Sequence, residues 1–469
     1  AEFPAFAFIL GDPHSHLLNL PFVISFLALV ILRADETDMR DNSLLRLTGW
    51  VIAASLLLTT ILLTNVWDFP IMIGTLFMFT LAKFYRNKIK LRETIRLMLF
   101  SMFPVITSLV ISIPFLISLD PPPTGIRLVV GEHTSPAQLL MFWGPLLSVF
   151  FTFGLTTGYY RMSRSSLITI SSVITVLAAI WVMILLLTGN ATELSERSFG
   201  WLTLGILLIL LMISLRQVFL GHSSQWVAWS FMAITLMLLI STEIFRLDDA
   251  FLGRVNSIFK VWFISWVLAA VASGGIGVIA VQRIFDKDPH ENKLTAYLCG
   301  LAVTAVILSS TYTFAMIATR SGEMLSKSLD ATAYVQRDSP MLTTAVRWVH
   351  SNLDAREHKL LHTVHESYEP GDQISTLTGI PTILTWPNHQ RQWRSKVQET
   401  ERRTAINRIY ESASIEEAKL IAGSYGVTHV FVGSHEFNEF GINLKQRFSS
   451  WTKVFESTDG NTLIYEVPD

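Results

Sequence analysis

The sequence has one cysteine, Cys299, so it excludes an intramolecular disulfide, a CxxC redox pair and a multi-cysteine zinc site. Charge is scarce as well: charged residues make up 16 %, against roughly 25 % in soluble chains. Neither sign prevails, since 36 Lys+Arg face 37 Asp+Glu for a net charge of −1. A global polyanion-binding role is excluded, and no nucleic-acid partner is expected. No repeat or low-complexity tract occurs, and Pro121-Pro122-Pro123 is a short stiff loop. The chain opens on Ala1-Glu2-Phe3-Pro4 with no initiator Met and no basic–apolar–small signal peptide. The expectation is an N-terminally truncated chain that lacks upstream membrane helices. What is abundant is apolar: of 469 residues 51 % are hydrophobic, with 30 Phe and 13 Trp, and the mean hydropathy is +0.44. That composition predicts a polytopic α-helical membrane protein.

A membrane helix needs about 20 mostly apolar residues. Ten runs qualify: 17–32, 47–65, 68–85, 95–118, 137–159, 166–188, 199–219, 225–243, 258–280 and 295–317. Basic residues concentrate in the odd-numbered loops, as Arg33, Arg40, Arg46, Lys83, Arg86, Lys88, Lys90, Arg92, Arg161, Arg164, Arg283 and Lys287 illustrate. The opposite loops carry only Arg127, Arg197, Arg246, Arg254 and Lys260. The odd loops are therefore expected in the cytoplasm and the C-terminal tail outside. From about residue 320 charges become frequent, which divides the chain into a transmembrane domain, 1–318, and an extracytoplasmic α/β domain, 319–469. Within the latter, 340–353 has the spacing of an amphipathic helix. β-like runs follow at 359–364, 427–432, 452–456 and 462–466, with helical patterns at 391–410 and 415–424 between them.

Four polar constellations stand out. In Gly11-Asp12-Pro13-His14-Ser15-His16 an extended backbone would put Asp12, His14 and His16 on one side. One carboxylate and two imidazoles there suit a divalent cation, Mg or Mn, or a base with its orienting partner. Equally, Asp12-Pro13 suits a helix start. In Asn65-Val66-Trp67-Asp68-Phe69-Pro70, Trp67 and Pro70 fit a tight interfacial hairpin, whereas Asp68 needs a wet cavity or a partner.

The third constellation runs from Glu243 through Arg246, Asp248, Asp249, Arg254 and Asn256 to Lys260. Arg254 as a fork and Lys260 as a point charge suit a phosphate or pyrophosphate, with Asn256 one turn before Lys260. A self-satisfied network of Asp, Glu and Arg is the alternative. The fourth joins Glu366-Ser367-Tyr368 to Trp386, Asn388, His389, Trp393 and Arg394. Rings that cover apolar sugar faces and planar polar groups that pair with hydroxyls make a sugar-facing surface. The same residues would also serve as a structural packing loop. The predicted topology puts all four on the outer membrane face, and their expected meeting in one cavity is the case for a shared site.

These residues carry a resemblance. Glu2-Phe3-Pro4, Gly11 through His16 and Leu20-Pro21-Phe22 resemble an E-F-P…G-D-L-H-P-H…L-P-F stretch, and Asn65 through Pro70 resembles N-x-W-D-F-P. Asp249 through Lys260 resembles R-D-x-F-x-x-R-M-N-T-x-F-K, and Ile374 through Arg394 resembles I-S-x-x-T-G-x-P-T-x-x-G-W-P-x-H-E-x-Q-W-R. The family with these motifs is the "YYY" membrane proteins of bacteria and archaea. It is grouped with the C-type (GT-C) glycosyltransferases that use lipid-phosphate sugars. Thr385, Asn388 and Gln390 depart from its G-W-P-G-H-E, and Pro13 and Ser15 depart from its first motif.

The resemblance implies an integral membrane glycosyltransferase in the cell envelope. Its donor would be a polyprenyl-phosphate sugar, its acceptor an extracytoplasmic glycan, lipid or protein, and its surroundings membrane lipid. In that reading Asp12, with His14 or His16, is the general base or metal ligand, and Arg254, Lys260 and Asn256 hold the donor phosphate. Asp68, Trp67, Glu243 and Asp249 support the acceptor side, and Trp386, His389, Trp393 and Arg394 bind the acceptor. The rival classes are a transporter or flippase for a lipid-linked solute, a non-catalytic subunit of an envelope-assembly complex, and a metal-dependent hydrolase.

Overall fold

The computed structural model describes residues 4–11, 14–35, 44–119, 125–129, 133–153, 183, 198–220, 225–248, 253–285, 289–323, 330, 332–367, 369, 371, 373–393, 399–412 and 414–468. They fall into two units: Ala1–Leu119 with Gly125–Glu323, and Asp120–Thr124 with Met324–Asp469.

The first unit is helical. Seven of its described helices are long and apolar enough to cross a membrane: Leu45–Thr64, Leu97–Leu116, Pro136–Phe153, Leu202–Leu220, Trp226–Ile244, Val255–Val278 and Ala302–Ser321. The expected run 166–188 lies outside the described residues apart from Met183. The expected run 17–32 becomes a four-residue helix, Ser15–Leu18, and a 16-residue helix, Leu20–Asp35. The longer piece rises about 24 Å at 1.5 Å per residue, short of the hydrocarbon thickness. The run 68–85 is the helix Asp68–Arg86. Its buried side repeats every three to four residues through Asp68, Phe69, Met72, Thr75, Leu76, Phe79, Ala82 and Lys83, the stripe of an amphipathic helix.

Burial ranks the helices. Trp226–Ile244 is 72 % buried and forms the middle of the unit, whereas Ala302–Ser321 is 6 % buried and presents its apolar side chains outward. Trp143, Trp229, Phe26, Phe150 and Phe263 are among the largest fully buried side chains of the helical core. One departure from an all-helical unit is a two-stranded antiparallel ribbon. Strand β1, Gly125–Leu128, pairs with β2, Phe245–Asp248, in the register Gly125↔Asp248 to Leu128↔Phe245. The expected loop after Ile244 is thus partly a strand.

The second unit is built on a four-stranded mixed sheet of order β3-β4-β6-β5. Here β3 is Leu360–Leu361, β4 His429–Val432, β5 Thr452–Glu456 and β6 Leu463–Glu466. β3 runs parallel to β4, and the β4–β6 and β6–β5 pairs are antiparallel. All four residues of β4 are buried, as expected of a strand covered on both faces. Tyr410 and Ala418, from helices Glu399–Glu411 and Ile415–Ser424, pack in one cluster with Val430 and Val432. Ala345 and Val349, from Pro340–Asn352, pack in another with Phe431 and Ile464. Of the run expected to be helical over 391–410, the described residues fall in the helices Pro387–Trp393 and Glu399–Glu411, and 394–398 lie outside the described residues.

Candidate functional site

In the first unit three stretches far apart in sequence come together. His14 has an extended backbone and precedes the short helix Ser15–Leu18. Its ring lies 5.2 Å from that of His16, so the helix start does not separate the two imidazoles. Phe259, from helix Val255–Phe285, stands edge-on to both rings at 5.7 and 4.8 Å. Phe263, one turn on, meets the buried His16 ring at 4.3 Å. Asn19, fully buried, donates from Nδ2 to Asp68 Oδ2 at 2.8 Å. Asn65 donates to the same oxygen at 2.9 Å. Both amides converge on Oδ2 and so do not engage Oδ1. Asp68 is 2 % exposed, and its burial is matched by those two donors. Lys260 completes the group: its ammonium sits 5.2 Å from the centre of the Trp67 ring and within charge–charge reach of Asp68. Asn19 Oδ1 is buried without a hydrogen-bond partner among the described residues, an acceptor left for a small polar group.

The third constellation divides. Lys260 joins the Trp67–Asp68 hairpin, whereas Glu243 and Arg254 form a network of their own. Arg254 Nη1 donates to Glu243 Oε1 at 2.8 Å and to the Thr242 carbonyl at 2.7 Å, and Nη2 donates to Thr134 Oγ1 at 3.1 Å. Glu243 Oε2 accepts from the Thr134 amide at 3.0 Å and lies 3.3 Å from His133 Nδ1. Trp262 Nε1 donates to Thr242 Oγ1 at 3.0 Å. Arg254 is 7 % exposed and Glu243 3 %. The expected fork for a phosphate is therefore corrected. Both terminal nitrogens of Arg254 are spent on protein oxygens in a dry setting, where giving up a buried ion pair is costly. Next to this network Arg127 pairs with Asp248 at 2.8 Å across β1 and β2. Asn256 lies one turn before Lys260 on the same helix. Asp12 and Asp249 lie outside the described residues.

In the second unit the two halves of the fourth constellation meet. Ser367 Oγ lies 2.7 Å from His389 Nδ1, and Asn388 Nδ2 donates to Glu366 Oε2 at 2.9 Å. Arg403 Nη2 donates to Glu366 Oε1 at 3.1 Å. The Trp386 ring lies 5.1 Å from that of His389. Trp386 has φ +46, a left-handed backbone that a non-glycine residue adopts at a cost and that tends to cluster at functional sites. Trp393 closes the helix Pro387–Trp393, and Arg394 lies outside the described residues.

Among the described residues no group of three or more His, Cys, Asp or Glu side chains is arranged to hold a metal ion. His14 and His16 alone offer two nitrogens, a poor match for Mg, which favours oxygen ligands. Sequence reasoning missed Asn19, Phe259 and Phe263, although Asn19 lies three residues after His16 and Phe263 one turn after Phe259. It also missed His133 and Thr134, which follow the β1 segment and carry no local pattern that points to Glu243.

Residues 1–269 match the DUF2298 family, described as an uncharacterized membrane protein. The chain belongs to that family. Its matched segment contains the histidine pair, the Asp68 hairpin and the first half of the helix that bears Phe259, Lys260 and Phe263. No curated protein matches the chain. Among solved structures it is similar to the archaeal oligosaccharyltransferase AglB from Archaeoglobus fulgidus in complex with an inhibitory peptide and a dolichol-phosphate. The identity is 12 %, the TM-score 0.42, and the coverage 98 % of this chain and 57 % of that one. The chain thus spans little more than half of that protein's length, and a likeness so distant carries no function with it.

Proposed function

We propose that this DUF2298 protein is an integral membrane glycosyltransferase that moves a sugar from a polyprenyl-phosphate donor to an extracytoplasmic acceptor. The observation that carries the reading is the meeting of His14, His16, Asp68 and Lys260 around one buried amide-lined carboxylate. Sugar transfer from a lipid phosphate needs a cation for the leaving phosphate and a base or orienting acceptor for the incoming hydroxyl. Lys260 supplies the first, held by the Trp67 face. Asp68, fixed through Oδ2, and the two imidazoles supply the second.

Asp12 belongs to the same motif as the histidines and is proposed as the general base, or as a ligand if a divalent cation takes part; no step here depends on a metal. Asn256 would assist Lys260 at the phosphate, and Asp249 would support the acceptor side. Arg254 and Glu243 act at one remove, by fixing the start of the helix that presents Lys260. Trp386, His389, Trp393 and Arg394 are proposed as acceptor-binding residues, with Ser367 orienting His389. A glycan, lipid or protein acceptor fits this surface equally.

The test is transfer of labelled sugar from a polyprenyl-phosphate donor in membranes that hold the full-length protein. Lys260→Met should lower turnover by about 10²–10³-fold, the usual effect of losing one electrostatic stabiliser. Asp68→Asn and Asp12→Asn should each cost about 10²–10⁴-fold if they handle the hydroxyl proton. Wild-type turnover in Lys260→Met and Asp68→Asn together would remove this site from the chemistry.

A further inference from the structure

One polar atom in the first unit's cluster does nothing for the fold. Asn19 joins the helices Ser15–Leu18 and Leu20–Asp35 and is fully buried. Its backbone is engaged on both sides. The amide donates to the Ser15 carbonyl at 3.0 Å, and the carbonyl accepts from the Phe22 and Val23 amides at 3.1 and 3.0 Å. Its side chain donates through Nδ2 to Asp68 Oδ2 at 2.8 Å. Oδ1 is buried and meets no donor among the described residues.

Helix capping leaves that oxygen unexplained. An asparagine that caps a helix accepts an early amide through its side-chain oxygen, and here the amides of Phe22 and Val23 go to the Asn19 carbonyl instead. Nor can the amide turn over, because Oδ1 would then face the Asp68 carboxylate, acceptor against acceptor. A buried acceptor without a donor is costly and uncommon in a folded protein. This one belongs to the side chain that holds the carboxylate of the candidate site.

The partner of Oδ1 must bring a proton, since an amide oxygen only accepts. A polyprenyl-phosphate sugar has three parts. Its hydrocarbon chain has no donor, and the phosphate diester offers acceptors alone. The incoming hydroxyl has a single proton, which goes to the general base. What remains is a hydroxyl that does not react, and a sugar ring carries several. Lys260, proposed at the phosphate, lies within charge reach of Asp68. The transferred sugar is bonded directly to that phosphate, which favours it over a sugar of the acceptor.

Resting on the transferase reading of this cluster, we propose that Asn19 Oδ1 accepts a hydrogen bond from a non-reacting hydroxyl of the donor's sugar while Nδ2 holds Asp68. Asn19 thereby distinguishes the sugar-bearing lipid from the bare lipid phosphate left after transfer, which favours exchange of product for substrate.

The experiment measures binding separately from transfer, with the full chain in nanodiscs of phosphatidylcholine. The probes are polyprenyl phosphate and its glucose, galactose and mannose esters, and bound lipid is counted by native mass spectrometry. Wild type should bind at least one sugar ester more tightly than polyprenyl phosphate. Asn19→Leu should lower that preference roughly fivefold, the size of one neutral hydrogen bond. Asn65→Leu should keep it, because that variant removes the other donor to Asp68 and leaves Asn19 in place. One mono-deoxy form of the preferred sugar should bind wild type roughly fivefold more weakly, yet bind Asn19→Leu as well as the parent ester does. If Asn19→Leu does not fold, Asn19→Ala takes its place in the same comparisons.

Equal preference in wild type and the Asn19 variant, or no preference in wild type for any sugar ester, overturns the inference; a water satisfying Oδ1 would give that result. An unchanged preference for the ester with weaker binding of the free methyl glycoside gives the hydroxyl to the acceptor, and overturns its assignment to the donor. Asn19-dependent preference without transfer of labelled sugar supports the contact and overturns the transferase reading. Transfer with a preference indifferent to Asn19 does the reverse.

Discussion

At the scale of single residues, two ion pairs of the first unit look alike in sequence and differ in consequence. Arg127–Asp248 is exposed, with side-chain accessibilities of 64 % and 35 %, whereas Arg254–Glu243 is buried at 7 % and 3 %. An exposed pair contributes about 0–1 kcal/mol, and breaking a buried one by removing a partner costs about 3–5 kcal/mol. Glu243→Ala should therefore lower thermal stability strongly in detergent-solubilised protein, and Arg127→Ala should leave it nearly unchanged. Gly371 gives a second residue-scale prediction. A Cβ built there would lie 1.8 Å from His365 Cδ2, so Gly371→Ala must displace the imidazole. A cost of about 1–3 kcal/mol is expected, together with a changed His365 signal in NMR. Sequence alone ranked the charges of 243–260 together, because it supplies residue types and not the solvent around them.

Among the elements, periodicity was a sound guide where one face is apolar. The amphipathic pattern at 340–353 corresponds to the helix Pro340–Asn352, and the β-like run 452–456 is β5 with the same bounds. The helix expected over 415–424 is Ile415–Ser424, capped by Ser414 Oγ accepting from the Glu417 amide at 3.3 Å. Ser414→Ala should cost about 1 kcal/mol, seen as faster amide hydrogen exchange confined to that helix. Elements without such a pattern escaped. β1 and β2 are four residues each and mostly outward-facing, so nothing in 125–128 marks it as the partner of 245–248. The run 17–32 looked long enough to span, and its backbone keeps helical hydrogen bonds through Asn19, whose side chain binds Asp68, while Pro21 lacks the N–H that would bond Leu17.

For the molecule as a whole, buried ionisable groups of the second unit set a pH dependence. Burial holds His362 and His429 at about 4, below the ordinary imidazole value of 6.5. As pH falls from about 6.5 to about 4 the unfolded chain takes up protons that the folded one refuses, so stability drops, by roughly 3 kcal/mol from His362 alone. Burial pushes Glu436 up to about 7, against amide donors from Thr363 and Gly433. Between 4.5 and 7 its contribution runs the other way, because the unfolded chain ionises first and stability falls as pH rises. Two imidazoles outweigh one carboxyl up to about pH 7, so the stability of the second unit should rise through the acid range and level off near pH 7. Proteolysis of the full chain across pH should show that rise and plateau, and Glu436→Gln, which removes the opposing contribution, should steepen the rise between 4.5 and 7. The sequence by itself determined that this is a multi-helix membrane chain followed by a more polar region, because hydropathy over about 20 residues and charge density are local sums. It also singled out Asp12, the histidines, Asp68 and Lys260 as unusual in apolar surroundings. Only the tertiary structure decided which of them share a site: Asn19 and Asn65 reach Asp68 from two different helix junctions, Lys260 meets the Trp67–Asp68 hairpin, its neighbour Phe259 meets both histidine rings, and Thr134 binds Arg254. Partnership depends on distances between segments tens to hundreds of residues apart, and those distances are fixed by packing, on which local composition is silent.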